Sequence, residues 1–328
     1  MIFTLKMYGR RKFLEQARNA VLVAGTIGFT GCEDKRKKPT IRLEQILGKN
    51  NVVRLPNHGT VYIANDFHAS YSDYQKLKEK TRVFDRIKKG EEVYLLINGD
   101  IVDYKRNRSG QIAHGELTGD TKILADLREE TSKLSKSKSD RIIVLKGNHE
   151  DVVLELYKTM KAMIGEGKVK TQEDFVKAAY SSRRGSFYQQ FNFIERISDQ
   201  DYQFLEGTPL IVQCANGTIV GHGSYPAVNS QDPRSRLLWK RGGDGDQFLE
   251  KVGGELIVNG HSFPTWMPRD EPDAKYDSQR KLTVVDDDRV IIAPSHHGGG
   301  GTYLVLDLSK TYKTADDLKL GREVISLK

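Results

Sequence analysis

Five short clusters rich in Asp, His and Asn carry the residue types that bind metal ions and move protons. They are Asp66-Phe67-His68, Gly99-Asp100-Ile101-Val102-Asp103, Gly147-Asn148-His149-Glu150, Gly221-His222-Gly223 and Gly260-His261-Ser262. Each follows a short apolar run that reads as a strand, and in an open α/β sheet ligands bind beyond the carboxyl ends of the strands, so the clusters are expected to converge. Carboxylates, imidazoles and an amide meeting in one place make a metal site. Asp66 and His68 are two apart on a segment read as extended, so both side chains face one way. A glycine precedes Asp100, Asn148, His222 and His261, which permits a sharp departure from the strand. Oxygen and imidazole donors without thiolate suit manganese, iron or zinc better than calcium or a structural zinc cage.

The elements that must position these clusters alternate along the chain. Thr60 to Ala64, Glu92 to Ile97 and Arg141 to Leu145 are β-branched or apolar runs. Each precedes a helical pattern, over 74–89, 122–134 and 151–164 respectively. Strand alternating with helix implies parallel pairing through crossovers. A polar-aromatic helical stretch around 171–206 interrupts the series and reads as an inserted cap. Strands then resume close together at 209–213 and 218–221 around an Asn216-Gly217 hairpin signal, and later at 255–258, 290–293 and 302–306. Two packed sheets with helices outside accommodate this order.

The ordered series DxH, GDxxD, GNHE, GH and GH resembles the calcineurin-like metallophosphoesterase superfamily over about 61–308. That resemblance implies an α/β sandwich of two mixed β-sheets flanked by helices. It also implies a phosphoric ester hydrolase in which a hydroxide shared by two metal ions attacks phosphorus. Residue by residue, Asp66 and His68 would hold the first ion, Asp100 both, and Asn148, His222 and His261 the second. His149 would protonate the leaving group, oriented by Asp103. The segments at 237–239, 248–250, 256–261 and 292–295 resemble the serine/threonine phosphatase branch. Two departures stand out. Tyr104 occupies the place where that branch has Arg, leaving Lys105, Arg106, Arg108, Arg183, Arg184 and Arg241 as candidate phosphate clamps. Phe263 stands where many members have a second His.

Other residues are read more plainly. His296 and His297 either line the site or sit in an exposed loop, and Gly298 to Gly301 form a flexible loop. His58 and His114 are surface or core-edge residues, and Asp244 and Asp246 belong to a solvated turn.

Composition sets the remaining bounds. With 328 residues, 38% hydrophobic and 29% charged, the chain is a globular protein and not a disordered or low-complexity one. Residues 1–31 read as an export signal: Arg10-Arg11-Lys12, then Phe13-Leu14, an apolar run from Ala20 to Thr30, and Gly31-Cys32. The paired arginines resemble a twin-arginine signal and Phe29 to Cys32 a lipobox, placing the protein at the cell envelope with lipidated Cys32 in a membrane. The competing reading is an amphipathic N-terminal helix packed on the domain. Residues 32–56 read as a linker, 57–309 as the catalytic domain, and 310–328 as a charged surface tail. Of the formal net charge of +8, +4 lies in residues 1–31, and the remainder is too small to argue nucleic-acid binding. The expected partner is a phosphorylated small molecule or phosphoprotein. A phosphodiesterase or nucleotide hydrolase, and a non-catalytic surface lipoprotein retaining the fold, are the alternatives.

Overall fold

The structure is a computed structural model, and it describes residues 41–106, 111–181, 191–223, 232–239, 245–261, 274–285, 288–292 and 301–327. Residues 1–31 and Cys32, Arg108, Arg183, Arg184, Arg241, Asp244, Phe263, His296 and His297 lie outside them.

Fourteen strands are described. They are β1 (Val52–Leu55), β2 (Thr60–Asn65), β3 (Val93–Asn98), β4 (Lys105–Arg106), β5 (Ile112–His114), β6 (Ile142–Leu145), β7 (Ile211–Cys214), β8 (Thr218–Gly221), β9 (Leu256–Asn259), β10 (Lys275–Asp277), β11 (Leu282–Val285), β12 (Val290–Ile292), β13 (Thr302–Asp307) and β14 (Val324–Ser326). Ten helices accompany them: α1 (Leu43–Leu47), α2 (Tyr71–Thr81), α3 (Val83–Lys88), α4 (Gly119–Ser132), α5 (Lys136–Ser139), α6 (Asn148–Gly165), α7 (Gln172–Ser181), α8 (Asp199–Glu206), α9 (Pro233–Trp239) and α10 (Gly245–Val252).

Two mixed sheets form the centre. One has the order β14-β13-β2-β3-β6 and the other β1-β7-β8-β9-β12-β11-β10, with β4 and β5 as a separate ribbon. In the first, β2, β3 and β6 run parallel. In the second, β8 and β9 run parallel.

Side-chain alternation along each strand decides what it buries. Val61, Ile63, Tyr94 and Leu96 point between the sheets and pack with Val212, Val220, Val258 and Ile291 of the facing sheet. Their neighbours Tyr62, Ala64, Val93, Leu95 and Ile97 point the other way, onto the apolar faces of α2, α3, α4 and α6. The outer face of the larger sheet, with Ile211, Ile219 and Ile257, is covered by Leu43 of α1, Leu237 and Leu238 of α9, and Phe248 and Leu249 of α10. The result is the expected sandwich of two sheets between helical layers.

Three sequence expectations need correction. The segment read as a linker is folded from 43 onward: Leu43 is fully buried and β1 pairs in parallel with β7. A four-residue strand carrying Arg54 has too little pattern to be seen locally, and its partner lies far along the chain. The C-terminal segment is likewise no surface tail, since Tyr312, Ala315 and Leu318 are buried and β14 pairs with β13. The helix expected over 74–89 begins at Tyr71 and breaks at Arg82, whose φ of 49° ends one helix and starts the next. The described part of 171–206 contains α7, a 3-10 turn at Asn192–Glu195, and α8.

Candidate metal centre

The carboxyl ends of β2, β3, β6, β8 and β9 open onto one region, and all eight residues singled out as metal-binding or catalytic lie there. The sheets are tied together at its base, where Asn98 donates its side-chain amide to the Gly221 carbonyl at 2.9 Å.

Asp66 and His68 do not reach the site from an extended segment. Strand β2 stops at Asn65, and Asp66 and His68 adopt left-handed backbone with φ of 48° and 43°, as does Asp100 at 48°. Such conformations are costly for residues with a Cβ and persist only where the surroundings enforce them. Glu150 supplies part of that enforcement. Its buried carboxylate accepts the backbone N–H groups of Gly147, Asp100 and Ile101 at 2.8 Å each, and of Val102 at 3.2 Å. Burial, with Asp100 adding to it, pushes the Glu150 carboxyl above its usual range, against those N–H donors. Glycine is obligatory beside it: a Cβ on Gly147 would lie 2.3 Å from Asp100 Oδ1, and one on Gly99 2.7 Å from His222 Nδ1.

Asp100 is the common member of two groups of metal-competent atoms. His68, Asp100 and His149 form one, and Asp100, His222 and His261 the other, each with its atoms within 4.8 Å of one another. His68 Nε2 lies 3.6 Å from Asp100 Oδ2, and His222 Nε2 lies 3.3 Å from Asp100 Oδ1. Asn148 Oδ1 stands between His222 Nε2 at 3.0 Å and His261 Nδ1 at 2.8 Å. Asp66 faces His222 Nδ1 at 3.4 Å and accepts the His261 backbone N–H at 3.0 and 3.1 Å.

The donors suit cations. His222 commits Nδ1–H to the Asn98 carbonyl at 2.9 Å, and His68 places Nδ1 3.4 Å from the Val102 carbonyl. Both rings therefore turn Nε2 toward the cluster, which is how a backbone carbonyl behind the ring presents an imidazole to a metal. Charge points the same way. Burial works against a proton on His222, yet Asp100 and Asp66 outweigh it and push the imidazole up to about 10. Burial pushes the Asp66 carboxyl up to about 7, with Asp100 adding to the rise and His222 opposing it. A pocket that stabilises positive charge this strongly while holding oxygen and imidazole donors fits divalent ions.

His149 sits at the edge of the cluster. Its Nδ1 donates to Asp103 Oδ2 at 2.8 Å, and its Nε2 lies 4.0 Å from Asp100 Oδ2. The ring packs on Phe191, centroids 4.9 Å apart. Trp239, 38% exposed, stands at the mouth, its ring 6.5 Å from those of Phe191 and His261. Lys105 Nζ is 2.7 Å from His149 Nε2.

Of the remaining sequence candidates, His58 is exposed, His114 is half-buried in β5, and Asp246 pairs with Arg289 at 2.9 Å. Glu150 is visible in the sequence as the last residue of Gly147-Asn148-His149-Glu150, without a role of its own. Its position three residues after Gly147, at the start of α6, is the capping-box spacing that could have flagged it.

The model of the family described as calcineurin-like phosphoesterase matches residues 59–308. No curated protein matches the chain. Among solved structures, the chain is similar to a protein serine/threonine phosphatase from Saccharomyces cerevisiae, at 17% identity over 84% of this chain and 82% of that one, with a TM-score of 0.44. It is similar to a putative diadenosine tetraphosphatase, at 17% identity over 84% and 96% of the two chains, TM-score 0.43. It is also similar to a cold-active protein-tyrosine phosphatase of a psychrophilic Shewanella, at 14% identity over 87% and 83%, TM-score 0.43.

Proposed function

Since the chain belongs to the calcineurin-like phosphoesterase family and is thereby a phosphoric ester hydrolase with a metal centre, we propose that it hydrolyses phosphomonoesters, phosphoproteins among them. The observation that carries the reading is Asp100, shared by two groups of metal-competent side chains at the ends of strands from both sheets. Asp66, His68, Asp100, Asn148, His222 and His261 are the residues proposed to hold two ions, manganese, iron or zinc. When bound, such ions supply Lewis acidity toward phosphoryl oxygens and acidify a water.

The chain's own residues do the rest. His149, oriented by Asp103, is the group proposed to pass a proton from Nε2 to the departing oxygen once substrate has displaced Lys105 Nζ, the donor that faces that nitrogen at 2.7 Å. The ester P–O bond breaks as the water oxygen bonds to phosphorus, and that proton passes to the leaving group, giving an alcohol and inorganic phosphate. Phe191 covers one side of the imidazole and excludes water from it. Glu150 keeps the Asp100 loop in the one conformation that presents its carboxylate to both groups.

The choice of monoester follows the later segments, 237–239, 248–250 and 256–261, whose order resembles the serine/threonine phosphatase branch. Purified, metal-loaded protein assayed on an aryl monoester and the matching diester tests it. Faster monoester turnover supports the reading; faster diester turnover moves the protein to the phosphodiesterases. Residues 1–31 remain proposed as an export signal and Cys32 as the lipid-bearing residue, supported by their order of charge, apolar run, small residue and cysteine. Mass spectrometry of the mature N-terminus tests that proposal, and an unmodified Cys32 would end it.

A further inference from the structure

The loop after β3 delivers a cation to the site as well as a carboxylate. Asp103 fixes the chain there, accepting from His149 through one oxygen and from the Phe193 N–H through the other. The next residue, Tyr104, is buried, its carbonyl accepts the Asn192 side-chain amide at 2.9 Å, and the Arg196 guanidinium lies over its ring at 5.2 Å. Lys105 then opens β4, paired with His114 of β5. Its half-buried side chain brings Nζ to 2.7 Å from His149 Nε2. Burial pushes its ammonium below the usual lysine range, and the carboxylates of Asp100, Asp103 and Asp66 oppose that fall, although among the described residues none of the three lies within ion-pairing distance of it.

The atom that protonates a leaving group must reach the ester oxygen, so a cation one hydrogen bond away from that atom is within reach of the phosphoryl oxygens on the same phosphorus. We propose that Lys105 is the cation that grips the phosphoryl group of the substrate and selects dianionic monoesters over monoanionic diesters. Substrate entry exchanges the Nζ–Nε2 contact for two others, Nζ to a phosphoryl oxygen and Nε2 to the ester oxygen. Of the six basic residues that sequence alone left as candidates, Lys105 is the one whose side chain the described structure brings to the site; Arg106 has its side chain, and the other four all their atoms, outside the described residues. A monoester carries one more negative charge than a diester, and a partly desolvated ammonium rewards that charge more than water does. The inference rests on the monoester reading, and its test separates the two.

The full chain, loaded with manganese, is compared as wild type, Lys105→Gln, Lys105→Met and Lys105→Arg. Inorganic phosphate binding is measured by calorimetry, turnover on the aryl monoester and diester pair, and metal content and melting temperature on the same samples. Loss of one preorganised cationic contact is expected to lower monoester kcat/KM by about 10²-fold in Lys105→Gln and Lys105→Met, with weaker phosphate binding. Diester turnover falls less than monoester turnover, metal content and melting temperature stay near wild type, and Lys105→Arg retains phosphate binding. Unchanged phosphate binding in both neutral variants overturns the inference, as does an equal fall on monoester and diester. A wild type that binds phosphate through Lys105 yet hydrolyses no monoester leaves the phosphoryl grip standing and removes both the monoesterase reading and the selectivity built on it.

Discussion

Asp103 holds His149 by the nitrogen that faces away from the metal-competent cluster: Oδ2 accepts the Nδ1 proton at 2.8 Å, while the other carboxylate oxygen is engaged by the Phe193 amide. The imidazole is thus fixed in tautomer and direction, with Nε2 turned to the side where Asp100 lies.

Replacing Asp103 with Asn removes the carboxylate that accepts the Nδ1 proton at 2.8 Å and puts an amide in its place, which loosens the hold on the ring's tautomer and direction. Turnover is expected to fall by about 10² to 10⁴. The fall should be smaller for a nitrophenyl ester, whose leaving group needs no proton, than for an alkyl phosphate. Equal losses on both substrates would show that Asp103 serves the fold and not proton transfer.

Glu150 is fully buried and satisfies four backbone N–H groups. Glu150→Ala strands those donors and should cost on the order of 1–3 kcal/mol for each donor left unsatisfied. The variant is predicted to lose metal along with stability, because the released loop carries Asp100. Thermal melts and metal analysis on one preparation check this; native metal content in a destabilised variant would separate the two roles.

Leu43 is fully buried against Leu237, Phe248 and Ile257, so the segment before β1 belongs to the folded body. Leu43→Ala is expected to destabilise the protein by about 2–5 kcal/mol. Denaturant unfolding measures it, and a change under about 0.5 kcal/mol would restore the linker reading.

Cys214 in β7 is 2% exposed in the intersheet core, and burial pushes its thiol up to about 12. Burial disfavours the charged form, so the reactive thiolate is scarce at neutral pH and becomes available only as the chain unfolds. In a Cys32→Ser background, iodoacetamide should leave the native protein unlabelled and label it in denaturant. Rapid native labelling would mean that β7 is not in the core.

The convergence of the candidate residues was legible because Asp, His and Asn stand right after strands, and strands announce themselves by apolar runs such as Val93 to Ile97. What sequence misjudged shares a cause. Strand β1, with Arg54 exposed, and strand β14 near the C-terminus are short, and their pairing partners β7 and β13 lie elsewhere in the chain. Local pattern holds no record of such pairing. The left-handed turn at Asp66 and His68 was missed for a related reason: Phe67, buried between them, and the backbone bonds from His68 to Asp100 and from Ala69 to Ile101 impose a conformation their residue types do not favour. Glu150 went unassigned because its partners are backbone groups of another loop.

Metal stoichiometry of wild type beside Asp100→Asn tests the central claim most directly. Two transition-metal ions per chain in the wild type, falling together with phosphoester hydrolysis in Asp100→Asn, is the predicted result. An Asp100→Asn protein that keeps two ions and full turnover, or a folded wild type that takes up none under saturating manganese, iron and zinc, would contradict it.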